Sequence, residues 1–417
     1  MRMKSKGSEV EGEYGPSYFF IRLDTAEPLA ECLDKHDQTF IHEYIHFIQD
    51  IFLAYCIRSN LEEVNRLARV AQVAYIKGVE RPFDEWGDEL SCMSLQSANT
   101  WGGGKFIDKG SRILRFETTR HVIASTQARV FKHVAVLESG ETYHVGARDM
   151  LEYIAHKIEA KHWETNQPDF PYRTMDYVFD YMGLSDISDA SRIALVEFCL
   201  HNDNPFHHFL VSVKDMKDGK LNVVAAEALG DFEKLRNVLP RIQWNAKGGF
   251  RDTMSTKVQR RLRDLQNALG EKFHQHNFAD IARWVESVID YVAATLQGRL
   301  VFSELFNMEG EDFFSAIEGM IAEIGIPLIF NSKEECITLL PEGYNQNQFI
   351  QFYVAYKFMS EFIVCTENTC PLCMFCENSD ESVMTEDCVS NALARAEGQQ
   401  LCPFGQFIKT YQLQRIY

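Results

Sequence analysis

The stretch that most constrains this chain is TFIHEYIHFIQD, residues 39–50. Phe40, Ile41, Ile45, Phe47 and Ile48 recur at helical spacing and surround the polar positions instead of avoiding them. A helix of this kind is buried on more than one side. It has to carry His42, Glu43 and His46 into a core, where polar groups need partners. Residues i and i+4 lie one above the other, about 6 Å apart along the axis, so both imidazoles can point at one place. Two arrangements meet the demand. One is a pair of hydrogen-bonded core histidines on an ordinary helix; the other is two ligands of one metal ion.

The rest of the chain supplies elements to pack against this helix. Residues 1–16 are polar and Gly-rich and are expected to form a flexible tail. SYFFIRLD (17–24) reads as a strand. Asp37 is the expected N-cap, the apolar periodicity runs to about Arg58, and a second helix is expected from Leu61. KGVERPFDEWGD and NTWGGGKFIDKGS, within 77–110, are loop-like. From Ile113 to Val145 β-rich pieces dominate, with ESGE (138–141) as a hairpin turn. GARDMLEYIAHKIEAKH (146–162) reads as a helix, with Gly146 at its start. The remainder is mostly helical, without an internal repeat or low-complexity tract. The expected fold class is α+β and mainly α-helical, with a small sheet beside the 39–50 helix. The expected division is a core over 17–165, a helical domain over 166–360 packing on it, and a small Cys-rich metal-binding module over 361–417.

Composition removes several functions. Nearly half the residues are apolar, with 30 Phe and 16 Tyr, which suits a large core and opposes extended disorder. A net charge of -18 argues against nucleic-acid binding, and KVQRRLRDLQ (257–266) reads as a solvated helix face. MRMKSKGSEVEGEYGPS begins basic but lacks the apolar stretch of a secretory signal. No apolar run approaches the ~18 residues that would span a membrane. Eleven cysteines without such a signal suggest reduced thiols and metal binding, so the expected location is the cytoplasm.

As ligands, His42 and His46 offer zinc two neutral nitrogens, and a further protein ligand and a water are then needed. Glu43 is rotated by about 100° from His42 and lies beside the ligand face. It is placed to act as general base on a water that zinc acidifies towards a pKa of ~7. Asp50, four residues after His46, could orient that imidazole.

HEYIH resembles the active-site helix of the zincin metallopeptidases, and FIHEYIHFIQD resembles a group of bacterial zincin-like proteins. The Gly and third His of the metzincins do not follow His46, and the aspzincin pattern is also absent. The remaining resemblance is to gluzincins, in which a Glu on a later helix completes the shell. It implies a zincin-like catalytic core over 17–165, with SYFFIRLD and the 113–145 segment forming the sheet beside the helix. It implies zinc-dependent cleavage of a peptide bond in a protein or peptide substrate. The expected third ligand is Glu152, which shares a core-facing helix face with Ala155, His156 and Glu159 and so needs a partner such as a cation. Glu159 and His156 are alternatives, and a salt bridge from Glu152 to Arg148 is the bland reading. Glu62 and Glu63 read as a surface charge pair in a first turn. Gluzincins also use a His, Tyr or Arg at the oxyanion; Tyr153, His156 and Tyr143 are the candidates. The competing expectation is a non-catalytic zinc-binding regulatory protein, or a latent protease of a bacterial regulatory or defence system awaiting a protein partner.

At about residue 361 the composition changes. Cys365, Cys370, Cys373, Cys376, Cys388 and Cys402 fall within 38 residues. Thiolates three residues apart around a tight turn can share a metal. Cys370, Cys373, Cys376 and Cys402 are the expected ligands of a second metal, with Cys365 and Cys388 as alternates. Zinc is preferred; the Cys-x-x-Cys-x-x-Cys run with a distant Cys402-Pro403 also resembles a ferredoxin-type iron–sulfur run. A redox-sensing or protein-binding role for the module is the other possibility. WGGGK (101–105) lacks the spacing and hydroxyl of a phosphate loop, HHF (207–209) reads as a surface cluster, and HQH (274–276) reads as a helix end.

Overall fold

The computed structural model describes residues 3–5, 12–17, 19–29, 31, 35–123, 127–218, 228–245, 251–273, 279–333, 335–365, 369–370, 372–377, 384–398, 402–413 and 415–416. Helix Asp37–Phe52 is buried from Thr39 to Phe52, as its apolar flanks demand. Asp37 is its first residue and not its cap: His36 holds the N-cap position, and the Asp37 carboxylate accepts from the Gln38 N–H. The helix ends at an extended Leu53, short of Arg58, and helix Ala54–Ile76 begins at once, ahead of the expected Leu61. Neither Pro nor Gly marks this break. The apolar periodicity runs through it because both pieces stay buried. The Asn60 amide reaches back to the Asp50 carbonyl (3.0 Å) and covers a group near the helix end.

Helix Asp37–Phe52 packs on a five-stranded sheet ordered Met3–Ser5, Gly12–Gly15, Phe20–Leu23, Ile326–Phe330, Cys336–Leu339. Phe20–Leu23 runs parallel to Ile326–Phe330, with Ile21 opposite Ile329, and the other neighbours are antiparallel. Three expectations are corrected here. Gly12–Gly15 is a largely buried strand and not part of a loose tail. The sheet takes two strands from 326–339, so it is not built from 17–165 alone but draws on the span expected to be a helical domain. Pairing across most of the chain leaves no local pattern for a sequence reading to find. The 113–145 segment does form strands, Ile113–Val122, Arg129–Leu137 and Thr142–Val145, with Gly140 at φ 86° in the turn. They make a separate antiparallel sheet packed on helices Gly87–Thr100 and Pro205–Lys217, and are not strands of the sheet under the 37–52 helix. The rest is mainly helical, and no described helix is long and apolar enough to cross a membrane.

Helix Val301–Asn307 shows how distant helices are tied. At its N-terminus the Phe302 and Ser303 N–H groups and the Ser303 hydroxyl donate to the Glu197 carboxylate at 3.2, 2.9 and 2.8 Å. At its C-terminus the Lys161 ammonium donates to the carbonyls of Phe306 and Met308 at 2.6 and 2.9 Å. Negative charge at the start and positive charge at the end both complement the helix dipole. Glu197 comes from helix Asp189–Leu200 and Lys161 from helix Ala147–His162, so this short helix fixes the two against each other. Burial raises the Glu197 carboxyl from 4.5 to about 7, against the pull of its three donors. Glu197→Ala should lower the unfolding free energy by about 1–3 kcal/mol, because three buried donors lose their acceptor. A carboxyl raised on folding contributes stability that is fully present below 4.5 and is lost as pH rises through about 7. The penalty, read by urea unfolding, should therefore be larger at pH 5 than at pH 8.

Candidate metal centre

Helix Ala147–His162 reaches helix Asp37–Phe52 because its start is docked backbone to backbone. A Cβ on Gly146 would strike the backbone of Thr100, Trp101 and Gly102. Gly102 sits at φ +109°, and a Cβ there would lie 2.9 Å from the Asp149 carboxylate. The Arg148 N–H donates to the Trp101 carbonyl (2.7 Å) and its guanidinium to the Gly103 carbonyl (3.0 Å). Asp149 accepts from the Gly146 N–H (2.9 Å) and the Thr174 hydroxyl (3.0 Å). WGGGK is thus a docking platform for this helix. With the start fixed, Glu152 and, two turns later, Glu159 face the two histidines.

His42 Nδ1 lies 2.9 Å from Glu159 Oε2, and His46 Nδ1 lies 2.8 Å from Gln49 Oε1. An ionised carboxylate can only accept. The Gln49 amide is oriented by its own N–H, which donates to the Leu151 carbonyl at 3.0 Å. With both rings neutral, this network assigns the proton to Nδ1 in each and leaves a lone pair on each Nε2. The two Nε2 atoms are 3.2 Å apart, and Glu152 Oε2 lies 3.5 Å from that of His42 and 3.3 Å from that of His46. Three acceptors converge. One face of a tetrahedron with bonds of ~2.0–2.2 Å has edges of roughly 3.3–3.6 Å, which this triangle matches closely. Among the described residues, His42, His46 and Glu152 form the group whose ligand atoms all lie within 4.8 Å of one another.

His42, Glu43, His46 and Glu152 are each at most 1% exposed. Burial would raise the Glu152 carboxyl, but His46 and His42 hold it down to about 2. Burial would lower His42, but Glu159, and then Glu152 and Glu43, carry it well above 6.5. Glu159, despite burial, is held far below the usual carboxylate range by His42, His156 and Gln38. The cluster therefore demands positive charge, either as protons on the imidazoles or as a cation. A divalent ion supplies it while leaving both imidazoles neutral.

The predicted residues sort as follows. Glu152 is the carboxylate that joins the two Nε2 atoms in the triangle; Glu159 lies on the Nδ1 side of His42 instead. The bland reading of Glu152 is present as well, since Arg148 Nε lies 3.8 Å from its other oxygen. His156 Nδ1 is 3.9 Å from Glu159 and off the triangle. Asp50 does not orient His46: it accepts from the Tyr14 hydroxyl (2.9 Å) and the Ser17 N–H (2.7 Å). Gln49, three residues on from His46, takes that role through a longer side chain. The Tyr153 hydroxyl donates to Asp176, and Tyr143 packs on Phe170 beside Asp149, so both are engaged elsewhere. Tyr172, which no motif marks, stands at the site. Its ring is 6.1 Å from that of His42, and Glu152 and Glu43 help burial to raise its hydroxyl pKa. Glu62 is buried in mid-helix, accepts from Ser94 and Ser97 and pairs with Arg66, so it is not a surface first-turn charge; Glu63 lies 3.7 Å from the same arginine. His207 stacks on Phe131 and His133, and residues 274–276 lie outside the described residues.

The Gly12–Gly15 strand covers the helix on the Glu43 side. A Cβ on Gly12 would come within 2.6 Å of Glu43 Oε1 and 2.7 Å of Thr39 Cγ2. The Tyr14 ring stacks 6.4 Å from that of His46. Comparison of the chain with protein-family models, with curated proteins and with solved structures finds no match in any of the three.

Two outcomes are expected. Glu159→Ala should weaken metal binding about 10–100-fold, measured by chelator competition, because it frees the His42 ring. Gly12→Ala should lower stability by about 1–3 kcal/mol through overpacking, and the penalty should shrink in a Glu43→Ala background. Equal penalties in both backgrounds would mean that Glu43 is not what Gly12 makes room for.

Proposed function

We propose that the chain is a zinc-dependent hydrolase of the zincin type, in the gluzincin arrangement, acting on a peptide bond. The observation that carries this reading is the arrival of Glu152, from a later helix, at His42 and His46, with Glu43 on the adjoining face. His42, His46 and Glu152 would hold the zinc. The bound ion supplies Lewis acidity and an acidified water. Glu43, on the adjoining helix face, would serve as the general base that accepts and passes on a proton. Tyr172, in place of Tyr153 or Tyr143, stands beside His42 and would be the donor to an oxyanion. The peptide-bond assignment rests on the resemblance of HEYIH to zincins, since the same chemistry cleaves other amides and esters. The thiol-rich composition suits a cytoplasmic protein.

The burial of the four residues adds a condition. No peptide reaches them while Gly12–Gly15 lies over Glu43 and His46, so this conformation is the latent one and a partner or ligand must open it. The same burial favours a second reading, in which the zinc is purely structural within a regulatory protein. Zinc content separates neither reading; Glu43 does. One equivalent of zinc should be lost in His46→Ala and in Glu152→Ala and kept in Glu43→Gln. A peptide library read by mass spectrometry should show cleavage by the wild type that Glu43→Gln abolishes. Equal cleavage by both forms would remove the hydrolase reading. Zinc retained with no cleavage by either form would favour the structural one.

A further inference from the structure

We propose that the C-terminal segment binds a second, structural zinc ion in a four-thiolate shell drawn from Cys370, Cys373, Cys376, Cys388 and Cys402, with Cys365 outside it. The proposal is independent of any activity at His42 and His46. It differs from the spacing-based expectation in bringing Cys388 in and leaving Cys365 out.

The backbone gathers these five residues. The Cys370 N–H donates to the Cys388 carbonyl (2.6 Å), and the Cys373 thiol donates to the same oxygen (3.1 Å). These bonds hold the 370–376 run against helix Asp387–Ser390. Cys376 is close enough to Cys402, Cys388 and Cys373 for their charges to act on it, as is Cys370 to Cys373, Cys376 and Cys388. Cys370, Cys376, Cys388 and Cys402 are buried and Cys373 is partly so, and all are free thiols. Cys365 is engaged elsewhere. Its thiol donates to the Phe362 carbonyl (3.5 Å), and it lies against Arg81, whose guanidinium covers the Phe362 ring.

The local donors suit thiolates. The Gly405 N–H donates to Cys402 Sγ (3.3 Å) and the Thr385 N–H to Cys388 Sγ (3.5 Å), and Arg395 favours the charged form of Cys376. Such donors stabilise negative sulfur. The packing also needs a staple. Helices Cys373–Glu377, Asp387–Ser390 and Ala392–Glu397 have five, four and six residues, far below what is stable alone. Beside the thiols, the buried apolar side chains described there are Leu372, Ala392 and Ala396. Helix Pro403–Thr410, by contrast, is anchored by Phe404 on Phe362 and Phe407 on Phe352. The sulfurs are gathered and not yet closed, since no three of them meet the 4.8 Å spacing of the histidine site. Helices this short leave room for an ion to draw the sulfurs in, and folding of the segment would then follow metal binding.

The test uses the full chain in a His46→Ala background, which empties the first site. About one zinc per chain should remain by elemental analysis. Adding Cys388→Ser should remove it, and adding Cys365→Ser should not. Loading the His46→Ala protein with cobalt should give the near-ultraviolet thiolate charge-transfer bands of a sulfur shell. This reading holds even where the Cys388 variant fails to fold. A metal-free His46→Ala protein without cobalt–thiolate bands, metal retained without Cys388, metal lost with Cys365, or iron with acid-labile sulfide would each overturn the proposal.

Discussion

Two imidazole nitrogens and a carboxylate oxygen, all lone-pair acceptors, stand 3.2–3.5 Å apart in a place that water does not reach. In solution each would be hydrated. In the core an acceptor left without a donor costs about 1–3 kcal/mol, and more where it is charged. The arrangement is stable only with positive charge at its middle. Protons on the histidines or a divalent ion can meet the need, and the carboxylates that carry His42 well above 6.5 strengthen the proton's hold, so proton and metal would compete for one position. Glu152 at the same spot serves either arrangement: it pairs with protonated imidazoles or stands beside neutral ones as a third metal-ligating atom.

The surrounding fold reads as a means of holding that spot rigid. Glu159 and Gln49 each occupy one Nδ1, which settles the tautomers and turns both Nε2 atoms inward. Gly102 and Gly146 let a loop and a helix start touch through their backbones, and that contact sets the depth at which Glu152 enters. Lys161 at the far end of the same helix is tied through Val301–Asn307 to Glu197. Both ends of the ligand helix are therefore anchored by bonds to backbone groups, which leave less freedom than side-chain packing alone. A geometry good to a fraction of an ångström at three ligands needs this kind of support.

The convergence of His42, His46 and Glu152, with Glu43 on the next face, was legible in the sequence because each residue rests on a local rule: helical spacing, or a carboxylate on an apolar face. Gln49 and Tyr172 were not. A glutamine three residues after a histidine is unremarkable until its amide is seen held by Leu151, and Tyr172 reaches the site only through the packing of a short helix. The same division applies to the fold. The 113–145 strands were readable from alternation and a turn, yet their assignment to the central sheet was not, because Phe20–Leu23 pairs with a strand at the other end of the chain. The break at Leu53 was hidden because burial on both sides of it keeps the apolar period unbroken.

Closure of the centre carries a consequence for any chemistry there. The segment over Glu43 and His46 is tied down by the Tyr14 hydroxyl and the Ser17 N–H on Asp50, and by its place between two strands. Burial lifts the Asp50 carboxyl to about 7 even with both donors in place. Ser17 and Phe19 on either side of the turn sit at φ 69° and 53°, a region that side chains other than glycine's adopt only at some cost. A dry site strengthens every charge interaction within it, which suits a metal and a base. The covering that keeps it dry also excludes the substrate. On the hydrolase reading, a segment held through Asp50 and flanked by positive-φ residues is where opening would begin, which would make the covering strand, and not the metal shell, the element that sets when the protein acts.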